Sequence, residues 1–574
     1  ESENVFFPGS QSVYVYNSLA DFYTDINDFA QNPNRTVSPV TLRRFQVRWA
    51  NIPGMEKPLQ PLEVLYWGAY LQDNFRVRDN LTLNLGVRFD VPHFGDTGFA
   101  NADADSLTFR DENGAAVTYS TAKLPDAKLH WSPRFGFNWD VFGTKNTQLR
   151  GGTGVFTGRP AYVWISNQIG NTGVLTGFEQ LDNTTLRPFH PDPNHYKPGN
   201  VTGEPASTYE LALTDPDFKF PQLWRNNIAI DQRLPGGWSA TAEFTYSRDV
   251  NGVYYINANL PPANSAFVGV DNRPRWVGGN AATRIHQHVA NAIVLKNQNV
   301  GRSWDAAFSA EKQFSRGFWF KSAYRYGEAK NTVDAGSIAF GSWNNNQHAG
   351  DPNNPGLGFA LSSPGHRFFM AGSYTAEYFS FGRTTFSVFF DAYTNGNTSY
   401  TFGGDMNGDG GTSNDLIYIH RNQSEMNFQT YTTGGRTFTA AEQAAAWDAY
   451  INQDPYLSKR RGQYAERSAV FLPIVKRIDV SVAQEVFANL GGRRHGLQFR
   501  VDILNFGNLL NSDWGVGQRL VHNQPLLPQG ADEEGRALYR LRAINGELMS
   551  RTFEKTAGLS DVWRIQFGLR YSFN

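Results

Sequence analysis

The 574-residue chain carries 52 Lys and Arg against 53 Asp and Glu, so it lacks the basic surplus that nucleic-acid binding asks for. It contains no cysteine, which excludes a disulfide framework and a thiolate metal site. Mean hydropathy is −0.47 and no apolar run reaches the ~18 residues of a membrane-spanning helix, but barrel strands escape that test because only alternate residues need be apolar.

No signal peptide stands at Glu1, so export would imply a processed or truncated N-terminus. SQSVYVYNSLADF (10–22) is the first candidate strand. About fourteen further strands follow, near 41–50, 62–77, 81–92, 131–142, 147–158, 223–234, 238–250, 303–314, 318–331, 365–379, 383–395, 470–489, 494–507 and 560–573. In LTLNLGVRFDV (81–91), Leu81, Leu83, Leu85, Val87, Phe89 and Val91 share one face, and Thr82, Asn84, Gly86, Arg88 and Asp90 the other. WRIQFGLRYSF (563–573) repeats the pattern.

A soluble sandwich also alternates, and three features decide against it. The polar faces carry charge (Arg88 and Asp90, Arg134 and Asp140, Arg500 and Asp502, Arg564 and Arg570), which a wet lumen tolerates. The apolar faces begin or end in Trp, Tyr or Phe, as interfacial girdles require. Connections also alternate between short and long. RDN (78–80), GTKN (143–146), PGG (235–237), SRG (315–317), SFG (380–382) and GGR (491–493) are short; 93–130, 160–222, 250–302, 332–363, 396–469 and 508–560 are long. The fold class expected is an all-β transmembrane antiparallel barrel with short periplasmic turns, long extracellular loops and Asn574 on the periplasmic side.

The long loops hold the candidate chemistry. In DMNGDG (405–410), Asp405, Asn407 and Asp409 have the 1-3-5 spacing of a calcium loop, with Gly410 at the turn position. Leu416 stands where an EF-hand has its bidentate Glu, and Asp415 offers a late carboxylate instead. The competing expectation is an Asp/Gly loop held by its own hydrogen bonds. His286 and His288, and His190 and His195, come in pairs with no third ligand in view. Glu243 and Asp305 read as lumen charges, and YLSKRRGQYAER (456–467) as a loop folded over the barrel mouth or a site for phosphate or lipopolysaccharide. TAAEQAAAWDAYINQ (439–453) opens with the capping pair Thr439 and Glu442 and predicts an extracellular helix. No HExxH, GxSxG or P-loop is present, so no enzyme is expected.

Seven segments, in order, resemble the Oar-like group of TonB-dependent receptors. They are YLQDNFRVRDNLTLNLGVRFD (70–90), SPRFGFNWDVFGTKNTQLRGGTGVFTGR (132–159), LWRNNIAIDQRLPGGWSATAEFTYSR (223–248), GDMNGDGGTSNDLIYI (404–419), YLSKRRGQYAERSA (456–469), RIDVSVAQEVF (477–487) and FRVDILNFGNLLN (499–511). The resemblance implies an N-terminal regulatory-like domain, a plug and a barrel of 22 strands, of which residues 1–574 would be the C-terminal portion, starting about eight strands late. No plug or TonB box is visible.

The function implied is a transport receptor in the Gram-negative outer membrane, taking an unidentified substrate through loops and lumen. A scaffold barrel holding a surface partner is the alternative, and a passive porin the weaker third. Expected partners are outer-membrane lipid and lipopolysaccharide, the TonB system if a plug exists, and another outer-membrane or surface protein. A 22-stranded barrel further predicts that the strand near residue 41, or the one before it, does not pair with 560–573.

Overall fold

The computed structural model of the chain describes residues 2–5, 10–158, 161–378, 381–412 and 414–573. Ser380 of the SFG turn and Asn574 lie outside the described residues. Thirteen long strands form a wall: β1 (Val64–Arg78), β2 (Leu81–Phe94), β3 (His130–Asp140), β4 (Thr147–Thr157), β5 (Gln222–Leu234), β6 (Trp238–Val250), β7 (Arg302–Gln313), β8 (Phe318–Asn331), β9 (Gly365–Tyr378), β10 (Gly382–Thr394), β11 (Ile474–Leu490), β12 (Arg493–Leu504) and β13 (Arg564–Phe573). Each pairs antiparallel with the next, and the short strand Gly358–Phe359 joins β8 to complete a 14-stranded sheet.

Short turns fall where the sequence places them. The Pro235–Gly237 turn holds Gly236 and Gly237 at φ +76° and +80°, a region that favours glycine. A Cβ on Gly317 would strike the Thr375 carbonyl.

Directly opposed residues share a face, so register carries a side-chain row across the sheet. Leu85 opposes Phe135, Ile228 opposes Phe244, Phe308 opposes Tyr324, Phe390 opposes Ile478, and Val501 opposes both Val482 and Phe567. Leu83, Leu85, Val87, Phe499, Val501, Ile565, Phe567 and Leu569 belong to this apolar face; Arg88, Arg500, Asp502, Arg564 and Arg570 belong to the other. Phe567 is 65 % and Leu569 74 % exposed, an arrangement that is stable when lipid covers the face. Aromatic rings flank the row. Trp224 with Tyr246 and Trp304 with Tyr326 lie at the loop end, and Trp238 with Phe314 and Phe318 with Tyr374 at the turn end.

The buried core sits outside this wall, in the long loops. Its largest cluster gathers Tyr400, Phe402, Trp447, Tyr450, Leu526 and Tyr539 from two different loops. The helix Ala440–Gln453 packs here, and its capping box is formed: Thr439 accepts from Glu442 N–H at 3.2 Å and Glu442 from Thr439 N–H at 3.4 Å.

One expected wall strand belongs to this layer instead. Leu42–Ala50 pairs with Thr176–Thr184 and with Val13–Val15, and its Leu42, Phe45 and Val47 are fully buried. Alternation cannot distinguish a face turned to lipid from one turned to other loops. The missing sign was a short turn, since Pro53, Pro58 and Pro61 fill the long connection to β1. Within 10–22 only Val13–Val15 is a strand; Ser18 then caps the helix Leu19–Gln31.

The face assignment predicts a one-sided response to charge. Val501→Arg, on the lipid face, should cost about 2–4 kcal/mol of stability if it lies at the membrane midplane. Gln566→Arg, on the opposite face, should cost far less. Denaturant unfolding in lipid vesicles measures both, and equal costs would contradict the assignment.

Candidate functional site

The lumen face is an ion-pair ladder. Arg150 bridges Asp231 at 2.8 Å and Glu243 at 3.4 Å, Arg325 meets Asp305 at 3.1 Å, Arg367 meets Asp391 at 3.2 Å, and Arg500 meets Asp502 at 2.7 Å. Glu243 and Asp305 are therefore lumen charges, as expected, each held by an arginine. Alternate residues point inward, so charges at one height on adjacent strands meet across the ladder. Near the loop end the face hollows into a cavity of about 670 Å³, lined by Arg325, Arg367, Asp391, Tyr393, Arg477 and Asp479 among others. It offers both charge signs and a phenol.

The loop layer lies at that end of the strands, and one arginine ties its loops together. Arg273, 2 % exposed, donates to both Asp271 oxygens at 2.9 and 3.0 Å, to Asp415 Oδ1 at 3.2 Å and to the Leu416 carbonyl at 2.7 Å. Its guanidinium lies 5.1 Å from the Phe402 ring and 5.2 Å from Tyr464. Burial opposes its charge, but Asp271 and Asp415 outweigh that and raise its pKa. A fully buried cation needs such partners on every side.

Asp415 also accepts from Met406 N–H at 2.7 Å, which fixes the DMNGDG loop. There Asp405 accepts from Gly408 N–H at 2.6 Å and Gly410 N–H at 3.0 Å, Asn407 Oδ1 from Asp409 N–H at 3.0 Å, and Asp409 Oδ1 from Gly411 N–H at 2.7 Å. His348, 1 % exposed, places Nε2 3.2 Å from Asp409 Oδ2. Burial pushes the Asp405 carboxyl up to about 7, with Asp409 and Asp415 adding to the rise. The structure thus brings all four sequence-predicted residues into one buried neighbourhood. It adds His348, Arg273 and Asp271, which sequence reading missed because they lie in distant loops with no motif spacing to mark them.

The other expected sites are structural ties. His286 Nε2 lies 2.7 Å from the Thr108 carbonyl and His288 Nε2 3.1 Å from Asp103, while His190 and His195 stack at 3.7 Å. The basic stretch is folded in: Arg460 pairs with Glu466, Arg461 with Asp448 and Arg467 with Asp334.

A second buried node pins the helix Ala440–Gln453. His420 Nδ1 accepts from the Trp447 indole N–H at 3.2 Å, so the neutral ring carries its proton on Nε2 and donates to Tyr539 Oη at 2.5 Å. Protonation would aim a second N–H at the Trp447 donor. Burial lowers the pKa from 6.5 to about 4; Asp271 and Glu425 oppose the drop and Arg461 assists it.

Because the folded-state value is depressed, stability is full above 6.5 and is lost as pH falls towards about 4. The loss attributable to His420 should be about 3 kcal/mol. Protease resistance of the loop layer, measured from pH 7 to 4, should fall less steeply in His420→Gln than in the parent; parallel profiles would contradict the assignment.

The family model of an outer membrane beta barrel domain matches residues 14–513. No curated protein matches the chain. Among solved structures the chain is similar to the outer membrane transporter YddB of Escherichia coli, at 12 % identity and a TM-score of 0.41, covering 92 % of this chain and 50 % of that one. It is also similar to the copper transporter OprC, at 9 % identity, TM-score 0.37, and 81 % and 50 % coverage. A mutant form of the ferric enterobactin receptor PfeA of Pseudomonas aeruginosa gives 8 % identity, TM-score 0.35, and 92 % and 57 % coverage. The chain thus spans about half the length of these solved structures. With the family model spanning most of the chain and the lipid-facing row running across the sheet, this chain belongs to the outer membrane beta barrel family and resides in the outer membrane of a Gram-negative bacterium.

Proposed function

We propose that the chain is the C-terminal barrel portion of a TonB-dependent-type transport receptor, of the Oar-like kind that its motifs resemble. The observation that carries this reading is the packed loop layer at one end of a polar lumen. Three loops share one hydrophobic core there, and Arg273 and Phe267 come from the same one of them. A passive pore has little use for such a cap. A receptor needs an organised outer surface to capture cargo and a polar lumen to pass it. The cavity beside Arg367 and Arg477 is where cargo would first meet the lumen.

The sheet supports a larger barrel. β1 and β13 end the strand order, and neither edge pairs with another described strand. Thirteen antiparallel strands leave both edges running in the same direction, so direct closure would require a parallel pair. Nine further strands would bring the wall to 22 and close it antiparallel throughout. In such a barrel the segment before β1 is an extracellular loop, which suits the place of Leu42–Ala50 in the cap. A plug coupled to TonB would sit within that wall and open the lumen. The rigidity of the cap also suits a scaffold barrel that holds a surface partner, without transport.

Depletion of the growth medium separates the two. Cells lacking the gene should leave behind a component that wild-type cells remove, and tonB deletion or a protonophore should spare the same component. If uptake survives both treatments, or no component differs, the receptor reading fails and the scaffold stands.

A further inference from the structure

In the DMNGDG loop each side-chain oxygen of Asp405, Asn407 and Asp409 accepts at least one hydrogen bond or ion pair. Arg273 is spent on Asp271 and Asp415, which leaves the Asp405 and Asp409 carboxylates with backbone N–H donors, the Asn407 amide and the single imidazole of His348. Each carboxylate has lone pairs to spare after accepting two or three such bonds.

An independent observation lies beside them. Asn414 is 0 % exposed, and neither its Oδ1 nor its Nδ2 has a hydrogen-bond partner. A Cβ on Gly411 would clash with Asn414 Nδ2 and come within 2.9 Å of Asp409 Oδ1, so the orphaned amide and that carboxylate oxygen flank the same glycine. Half a turn about its last torsion would present Oδ1 there instead. A buried amide left without partners is rare in a settled fold and calls for a ligand.

We propose that this loop binds one calcium ion, with carboxylate oxygens from Asp405 and Asp409 and amide oxygens from Asn407 and Asn414. Among the described residues no group of three or more His, Asp or Glu could hold a metal ion alone. Calcium takes mixed carboxylate, amide and carbonyl oxygens, which suits two carboxylates completed by amides. Asp415 is a positioning residue: its oxygens hold Arg273 and Met406 N–H, and so set the curvature of the loop. Gly410 donates to Asp405 from the sixth position of the loop, the place of the turn glycine in calcium loops. The proposal stands whether or not the receptor reading holds.

The test uses the full-length protein in detergent micelles, with Tb³⁺ as a luminescent probe. Trp276, whose N–H donates to the Asn407 carbonyl at 2.8 Å, is the neighbouring sensitiser. Calcium should displace one Tb³⁺ per chain with a Kd of about 10⁻⁴–10⁻³ M. Asp405→Asn should weaken calcium at least about tenfold, and Asn414→Asp, which adds a carboxylate, should tighten it. No calcium-displaceable signal in the parent protein, or the same Kd in both variants, overturns the proposal. If Asp405→Asn does not fold, judged by loss of heat-modifiable migration on gels, Asn414→Asp decides alone. Tighter binding supports the site, and unchanged or weaker binding overturns it.

Discussion

A backbone N–H or C=O in hydrocarbon finds no water to bond, so every strand that crosses a membrane must be paired along both edges. That constraint organises the rest of the molecule. It makes the wall strands pair only with their sequence neighbours, from β1 to β13, through alternating short and long connections. It sends apolar side chains outward to lipid and leaves the inward face polar. It also leaves β1 and β13 with an edge each that lipid would not tolerate, which is the physical basis for placing further strands between them.

Lipid takes over the task that a buried core performs in a soluble protein. Among the described residues, the fully buried apolar side chains are concentrated in the loops, and the wall's apolar row is exposed to solvent or lipid. The loops must therefore hold themselves together. They do so with aromatic clusters, with the capped helix carrying Trp447, and with buried charge centred on Arg273. Such a charge is costly to bury and very costly to strip of one partner, so it fixes how the loops dock against one another. The cap's shape and the polar lumen beside it then follow from one set of contacts.

The wall was legible in the sequence because its signals are local: alternation, aromatic ends and short turns at regular intervals. The same locality misled at Leu42–Ala50, whose alternation is real but serves loop-to-loop pairing with Thr176–Thr184. The helix 439–453 was readable from Thr439 and Glu442, a capping pair three residues apart. The DMNGDG spacing likewise pointed to Asp405, Asn407 and Asp409. Its surroundings were not readable. His348 and Arg273 reach the loop through tertiary folding, and nothing in their own neighbourhoods marks them.

We propose that this sheet is part of a larger closed barrel, with β1 and β13 apart. The chain has no cysteine, so introduced pairs report proximity without background. A panel of double variants, one cysteine within 68–74 and one within 566–572, should form no intrachain disulfide in membranes under oxidation. The registered pair Gln498→Cys and Arg570→Cys should cross-link as the positive control. A disulfide between the two edges would mean that the thirteen strands close on themselves, and would contradict the account.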